Sequence, residues 1–421
     1  MPRHEEATMT LDINWVRSQF PALRQQDEDG QSFFENAGGS FPCRQTIDAL
    51  QTYYTQTKVQ PYADYSISSQ AGELMDRSRS RWADALGVER DEVQFGPSTS
   101  MNTYVLAQAF RQILKPGDEV VVTNLDHETN TGAYRRAAEE SGATVREWGI
   151  DSNTGLLDPG QLDDILNSNT RLVTFPHCSN IVGQENDVRA ISDAAHNVGA
   201  RAIVDGVSYA PHGLCNVAEL GCDVYLFSLY KVYSVHQGLM VTRNGIVDEL
   251  PNQGHYFNSG YASKRLTPAG PDHAQEAAAG AVLDYIEQCD EHHGGAISSV
   301  RDSVARVSAL WQERESALLA PVLEKLSQSD KVRLIGPNTV GAAGSHRCPT
   351  VAFVPHGKDP ALVAKQLVER GVEASSGHFY AVRVLEGLGI DVDTGVVRVS
   401  WVHYTSEADI QRLLNGLDEV L

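Results

Sequence analysis

The sequence has few positive charges and no long apolar run. Its 421 residues carry 34 lysines and arginines against 55 acids, a formal net charge of −21. An acidic surface repels phosphate backbones, so we expect neither nucleic acid nor an anionic membrane as a partner. No stretch approaches the roughly 18 apolar residues of a membrane span, and residues 1–15 show no apolar segment behind a basic end. We therefore expect a cytoplasmic protein with no secretory signal.

Paired cysteines are also absent. The six cysteines are Cys43, Cys178, Cys215, Cys222, Cys289 and Cys348. None belongs to a CxxC pair, and their spacings match no zinc-ligand pattern. We expect reduced, mostly buried thiols, and we predict no metal site.

The length and composition are those of a folded protein with a large core. In the middle of the chain, short β-branched apolar runs alternate with helical patterns near 129–141, 159–166 and 187–198. The predicted strands are 119–123, 144–148, 171–175, 201–205, 223–227 and 238–242. Such alternation is typical of a mainly parallel α/β sheet covered on both faces. Ligands of such sheets bind at the carboxyl ends of the strands.

The pattern changes after about residue 265. Helical runs at 273–289 and 297–328 lead to predicted strands at 331–335, 350–354 and 396–400 and helices at 360–370 and 406–420. This pattern predicts a smaller α/β domain on an antiparallel sheet. We expect an N-terminal segment (1–30) packed on the small domain, a large domain (31–290) and a small C-terminal domain (291–421). His292 and His293 are interpreted as surface residues of a turn.

Two residues at neighbouring strand ends suggest chemistry. Asp205 ends one predicted strand and Lys231 follows the next, so both can face one crevice. Singly, Asp205 is explained as an N-cap or salt-bridge partner, and Lys231 as a lysine at the rim. A desolvated lysine, however, has a lowered pKa and forms Schiff bases with carbonyl compounds. Together they match pyridoxal phosphate, which needs a lysine for its aldehyde and an acid for its pyridine nitrogen.

Other polar residues follow the neighbouring strands. His127 could stack on an aromatic cofactor and carry protons, and Asn180 could bond a phenolic oxygen. A hydroxyl-rich loop runs into a helix near residue 99, where free N–H groups attract an anion such as phosphate. Read alone, this segment is explained as an N-cap. As a phosphate site it offers Ser98, Thr99 and Ser100, with Ser228 and Tyr230 as further hydroxyl donors.

These segments resemble the class V aminotransferases, fold-type I pyridoxal phosphate enzymes that include the cysteine desulfurases. The specific part is 171-RLVTFPHCSNIVG-183, 202-AIVDGVSYAPH-212 and 223-DVYLFSLYK-231. The resemblance extends from 34-FENAGGS-40 to 398-RVSWVHYT-405, which is nearly the whole chain. It implies a fold-type I architecture, with a seven-stranded, mainly parallel sheet in the large domain, a smaller C-terminal domain and a homodimer.

The resemblance also implies roles for matching residues. Lys231 would form the internal aldimine, Asp205 would pair with the pyridine nitrogen, and Arg398 would grip the substrate α-carboxylate as a bidentate fork. The remaining implied cofactor residues are His127, Asn180, Thr99, Ser100, Ser208, Ser228 and Tyr230. Asn36, in the ENAGG segment, would lie near the substrate.

Several positions depart from the desulfurase pattern. The desulfurase loop reads Arg-x-Gly-His-His-Cys-Ala, whereas this chain reads 374-ASSGHFYA-381, with Ser375 and Tyr380 at the places of the arginine and the cysteine. The nearest cysteine, Cys348, is 32 residues from Tyr380, and a phenol cannot carry a persulfide. The remaining departures are Ser208 for a glutamine, Tyr230 for a histidine, and Gly270 for a threonine that reaches the neighbouring subunit's phosphate.

The sequence therefore predicts a homodimeric pyridoxal phosphate enzyme acting at Cα of a small amino acid. Lys231 would move the Cα proton, with His127 or Tyr380 as the second acid or base. Transamination and β-elimination of the C–S lyase type fit about equally well. The alternatives are an amino-acid epimerase, a desulfurase that uses a distant cysteine, and a non-catalytic relative that binds the cofactor.

Overall fold

Strands and helices alternate through most of the chain. The computed structural model describes residues 10–243, 245–268, 270–296, 299–341 and 347–421. The strands are β1 (Ser32–Phe33), β2 (Val93–Gly96), β3 (Glu119–Thr123), β4 (Thr144–Trp148), β5 (Thr170–Pro176), β6 (Arg201–Asp205), β7 (Val224–Ser228), β8 (Gly238–Thr242), β9 (Val332–Leu334), β10 (Thr350–Pro355), β11 (Val372–Glu373), β12 (Ser375–Gly377) and β13 (Val396–Ser400). The helices are α1 (Ile13–Ser18), α2 (Pro21–Glu28), α3 (Arg44–Gln56), α4 (Ser66–Leu86), α5 (Thr99–Arg111), α6 (Glu128–Ser141), α7 (Pro159–Ile165), α8 (Val188–Asn197), α9 (Val217–Leu220), α10 (Ile246–Glu249), α11 (Ala262–Arg265), α12 (His273–Ala279), α13 (Ala281–His292), α14 (Val300–Ser327), α15 (Pro360–Val368), α16 (Val382–Gly387) and α17 (Glu407–Val420).

A seven-stranded sheet forms the centre of the large domain, in the order β2-β8-β7-β6-β5-β3-β4. Strands β3 to β7 are parallel, while β8 and β2 are antiparallel additions at one edge. The mainly parallel seven-stranded sheet is confirmed, and the six predicted strands agree with the observed bounds to within one residue. Strand β2 was not predicted.

The central strands are apolar along their length because helices cover both faces of the sheet. Every residue of β7 and β8 is buried. Helices α5 to α8 begin at side-chain caps, as in α8, where the Asp187 carboxylate accepts from the Ala190 N–H at 3.0 Å. The loops that leave β3, β5, β6 and β7 therefore meet at one edge of a rigid sheet.

The C-terminal part contains the expected antiparallel sheet, in the order β12-β13-β10-β9. The predicted helix 273–289 is instead two helices, α12 and α13, which meet at Gly280. A Cβ at Gly280 would lie 3.0 Å from the Ser78 Cα, so a glycine lets α4 approach closely.

The interpretation of His293 as a surface residue was wrong. It is buried, and its Nε2 accepts from the Asp12 backbone N–H at 2.8 Å. The N-terminal segment also reaches the C-terminal part, because Arg17 Nη1 donates to the Tyr404 carbonyl at 3.0 Å. The domain boundaries at residues 30 and 290 stay a prediction.

None of the helices in the described ranges has the length and apolar character needed to cross a lipid bilayer.

Candidate active site

A pocket opens at the carboxyl edge of the large sheet. It is lined by Thr99, Ser100, His127, Thr129, Asp205, Val207, Ser208, Ser228, Tyr230 and Lys231. Eight of these ten residues were predicted as site residues from the sequence. Thr129 and Val207 were not.

Lys231 and Asp205 meet in this pocket, and both are almost fully buried. Burial lowers the pKa of Lys231 to about 8, and the charge of Arg398 adds to this effect. Burial raises the pKa of Asp205 to about 6, although the Val207 N–H and Lys231 oppose the shift. The Val207 N–H donates to Asp205 Oδ1 at 2.8 Å and fixes the carboxylate. The site thus pairs a readily deprotonated amine with a desolvated acid.

Hydroxyl groups gather where α5 begins. Thr99 Oγ1 and Ser228 Oγ lie 2.7 Å apart, and Ser100 Oγ lies 3.1 Å from Thr129 Oγ1. Gly238 lets β8 pass directly behind this turn, since a Cβ there would lie 2.4 Å from the Thr99 backbone nitrogen. The N-terminus of a 13-residue helix and four hydroxyls therefore face one small volume.

His127 lines the pocket beside Thr129. The Thr129 N–H donates to His127 Nδ1 at 3.1 Å, which places the ring proton on Nε2. Burial lowers the pKa of His127 to about 4, and the charges of Lys231 and Arg398 add to this shift. The imidazole is therefore neutral at neutral pH and can donate from Nε2.

Tyr380 lies over His127, with ring centroids 5.3 Å apart. Phe379 and Tyr380 both have left-handed backbone conformations, at φ 48° and 58°. The Tyr380 carbonyl accepts from the Glu128 N–H at 2.7 Å, which holds this strained turn against α6. The Tyr380 side chain is exposed.

Arg398 approaches the pocket from β13. Its Nη1 donates to the Asn180 carbonyl at 3.3 Å, and its guanidinium lies 3.8 Å from the Phe379 ring centroid. Its Nη2 forms an ion pair with Glu35, and its buried Nε has no hydrogen-bond partner among the described residues. The Asn180 amide donates to the Phe379 carbonyl at 2.9 Å.

Both polar atoms of the Asn36 side chain form hydrogen bonds within the protein. Its amide nitrogen donates to the Ser400 carbonyl at 3.3 Å, and its Oδ1 accepts from the Tyr404 hydroxyl. Tyr230 stacks on His236, with centroids 4.7 Å apart. Asn36, Asn180, Tyr380 and Arg398 are outside the pocket lining itself. Of these, Tyr380 contacts His127 in the lining, and the charge of Arg398 acts on Lys231 and His127.

All six cysteines lie in the described ranges, and none of them lines this pocket. Five are buried and Cys215 is half-buried, which agrees with the expected burial. In the described part of the chain, no group of three or more His, Cys, Asp or Glu residues could hold a metal ion.

The residues of the pocket fit pyridoxal phosphate. The acid, the amine and the hydroxyl-rich helix N-terminus match its ring nitrogen, its aldehyde and its phosphate. The buried Asn180 Oδ1 has no hydrogen-bond partner among the described residues. A buried amide oxygen without a partner is costly, so a ligand group that donates a hydrogen bond to it would be stabilising.

Sequence reasoning missed Glu35 and Phe379, which both contact Arg398. Glu35 lies next to Asn36 in the segment 34-FENAGGS-40, and Phe379 lies next to Tyr380, so the motifs contained both residues. Their contacts join parts of the chain far apart in sequence, and no local pattern indicates them.

Comparison with known proteins identifies the family. The sequence model of "Aminotransferase class-V" matches residues 32–244 and 305–413, more than half of the chain. The aminotransferase-like protein FGM3 of Gibberella zeae is 35% identical over 99% of this chain and all of that protein. Probable cysteine desulfurase 1 of Mycobacterium leprae is 28% identical over 97% of this chain and 65% of that protein.

Solved structures show the same fold. The cysteine desulfurase of Thermococcus onnurineus has a TM-score of 0.83 at 24% identity, with 98% of both chains covered. The Escherichia coli cysteine desulfurase CsdA has a TM-score of 0.80 at 20% identity, with the same coverage. The chain therefore belongs to the aminotransferase class V family and is a pyridoxal phosphate-dependent enzyme of the transferase or lyase type.

Proposed function

We propose that this enzyme acts at Cα of an amino acid, by transamination or by elimination of a β-substituent. The proposal rests chiefly on one observation, which is that Lys231 and Asp205 share a buried pocket with the hydroxyl groups at the start of α5. When bound, pyridoxal phosphate supplies an electron sink for a bond broken at Cα.

Lys231 has two tasks in this proposal. It would hold the cofactor covalently, and its Nζ would carry a proton to and from Cα. The lowered pKa of about 8 supports both tasks, because it increases the unprotonated fraction of the amine near neutral pH. Asp205 would keep the ring nitrogen positive by holding a carboxylate against it.

The remaining residues would position the substrate and move a second proton. Arg398 would bind the α-carboxylate, since its Nε lacks a partner among the described residues and its guanidinium is nearly excluded from water. His127 Nε2–H or the Tyr380 hydroxyl would serve as the second acid or base. Both rings stand on the same side of the pocket, at 5.3 Å from each other.

Cysteine desulfuration is a poorer candidate for this chain. A desulfurase needs a thiolate that attacks the substrate sulfur, and Tyr380 stands where the desulfurase loop has its cysteine. The pKa of Cys43, Cys215, Cys222, Cys289 and Cys348 is raised, chiefly by burial, which disfavours the thiolate. Incubation with L-cysteine should therefore leave no added sulfur on the intact protein by mass spectrometry.

We also propose that the enzyme works as a homodimer. Large exposed side chains lie on α5 and on the segment after α10, namely Met101, Tyr104, Tyr256, Phe257 and Tyr261. Gln112 and Gln253 join these two elements by a hydrogen bond of 3.3 Å. Exposed aromatic surface of this kind is typical of an interface.

The six free thiols favour a reducing compartment such as the cytoplasm.

The proposed function is tested by presenting the cofactor-loaded enzyme with individual amino acids. We expect at least one to change the absorbance of the bound cofactor and to yield a 2-oxo acid. Transfer of the amino group to a 2-oxo acid acceptor identifies transamination, whereas release of ammonia with the β-substituent identifies elimination. Recovery of a racemised amino acid would instead identify an epimerase. A loaded enzyme that responds to no amino acid would overturn the proposal.

A further inference from the structure

Glu35 lies beside Arg398, the residue proposed to bind the substrate carboxylate. It follows β1 and forms a parallel bridge with Ser400, two residues after Arg398 on β13. The Gly38 N–H donates to its carbonyl at 2.9 Å, which fixes the turn. Its carboxylate pairs directly with Arg398 Nη2. The Glu35 side chain is 21% exposed and that of Arg398 only 4%, so the acid lies on the more open side of the pair.

Glu35 also acts on the reactive lysine. Its negative charge raises the pKa of Lys231, against the effects of burial and of Arg398. The Glu35 charge therefore acts on the lysine amine as well as on Arg398. In the proposed function the substrate lies between Arg398 and the cofactor on Lys231, so its side chain is exposed to the Glu35 charge.

Substrate binding changes the charge balance of this region. The proposed function brings an α-carboxylate to Arg398, which already has Glu35 as its ion-pair partner. The Arg398 guanidinium then pairs with two carboxylates. The negative charge of Glu35 is therefore only partly neutralised, although its side chain is largely buried. A positive group on the substrate side chain restores the balance, whereas an acidic side chain adds a third negative charge.

The other charged groups nearby do not alter this balance. Glu128 is paired with Arg383 at 3.5 Å. Asp205 is committed to the cofactor nitrogen in the proposed function, and His127 is neutral at neutral pH.

We propose that Glu35 selects amino acids whose side chain carries a cationic group, an amine or a guanidinium, over neutral and acidic ones. This inference rests on the proposed function. It names the substrate class, which the motifs shared with the family do not define.

The test uses the cofactor-loaded enzyme and pairs of amino acids that match in shape but differ in charge. Dissociation constants are measured from the absorbance change of the bound cofactor for arginine against citrulline and for ornithine against norleucine. We expect the cationic member of each pair to bind at least about 10-fold tighter. This ratio corresponds to the free energy of one charge-assisted hydrogen bond. In Glu35→Gln, which keeps the shape and loses the charge, this ratio should approach one, and binding of glutamate should improve. Glu128→Gln, the matched control, should keep the wild-type ratio.

The possible outcomes separate the two proposals. Equal binding of arginine and citrulline by the wild type overturns the inference while leaving the proposed function intact. An unchanged ratio in Glu35→Gln, with all amino acids weakened alike, overturns it too, because Glu35 would then only position Arg398. If Glu35→Gln does not fold, Glu35→Asp must retain the cation preference. A wild type that responds to no amino acid contradicts the proposed function itself.

Discussion

Arg398 is a buried cation with one acidic partner and an unpartnered Nε within the described structure. In the proposed function, Arg398→Ala removes a bidentate contact to the substrate carboxylate. We expect the dissociation constant for the amino acid to rise about 10- to 100-fold, from about 1.5–3 kcal/mol for a charged hydrogen bond. The affinity for the cofactor should stay within about threefold, as absorbance titrations of both ligands can show. Equal losses for both ligands would contradict the assignment.

Asp205 should make the cofactor-free protein sensitive to pH. Because its folded-state pKa is raised from 3.8 to about 6, the protonated form is favoured in the fold, and this stability is lost as pH rises through about 6. The shift corresponds to about 3 kcal/mol. The asparagine in Asp205→Asn does not ionise, so the variant does not lose stability in this way. Its free energy of unfolding relative to wild type should therefore increase between pH 4 and pH 8. Urea unfolding at several pH values measures the difference.

A suitable control for that experiment is Asp248→Asn, at an exposed position. It removes a carboxylate outside the pocket and so controls for the loss of any one aspartate. A constant difference for Asp205→Asn would show that the carboxyl group ionises normally in the cofactor-free fold.

At the scale of an element, α5 has two hydroxyl groups with different tasks in its first turn. The Ser98 side chain accepts from the Met101 N–H at 3.2 Å as an N-cap, while Thr99 Oγ1 points to Ser228 in the pocket. Thr99→Val should weaken cofactor binding about 10-fold or more, with little loss of stability. Ser98→Ala should lower the free energy of unfolding by about 1 kcal/mol and leave cofactor binding nearly unchanged. Cofactor titration and thermal unfolding separate the two effects, and equal behaviour of the two variants would refute the distinction.

Elements with a strong local pattern were predictable from the sequence. Strands β3 and β5 to β8 contain continuous apolar runs with clear ends, so their bounds followed from composition and turn residues. Strand β2 has only four residues and pairs antiparallel with β8, a contact across more than 140 residues of chain. Gly280 interrupts a helical pattern because α4 packs closely against it. The local sequence does not reveal this contact.

The same limit applies to the site. Strand-end residues such as Asp205 and Lys231 could be placed together because parallel strands bring their carboxyl ends to one edge. The pairing of Glu35 with Arg398 joins β13 to a loop 363 residues earlier and needed the structure.

At the scale of the whole molecule, the exposed aromatic residues predict the assembly. Phe257 is 63% exposed, and Phe257→Asp should place a charge in the proposed interface and shift the protein towards a monomer. Leu362→Asp is the matched control, since Leu362 is 49% exposed on α15, away from this surface. Light scattering at micromolar concentration gives both masses. A dimeric Phe257→Asp protein, or a monomeric wild type, would contradict the proposed interface.

The central claim is that Lys231 holds the cofactor beside Asp205, and borohydride reduction followed by peptide mapping tests it most directly. The reduced pyridoxyl group should be found on the peptide that contains Lys231. It should disappear in Lys231→Ala and persist in Lys58→Ala, a control at a lysine that lies over Tyr54, outside the pocket. A label on another lysine, or a colourless protein that takes up no pyridoxal phosphate, would contradict the account.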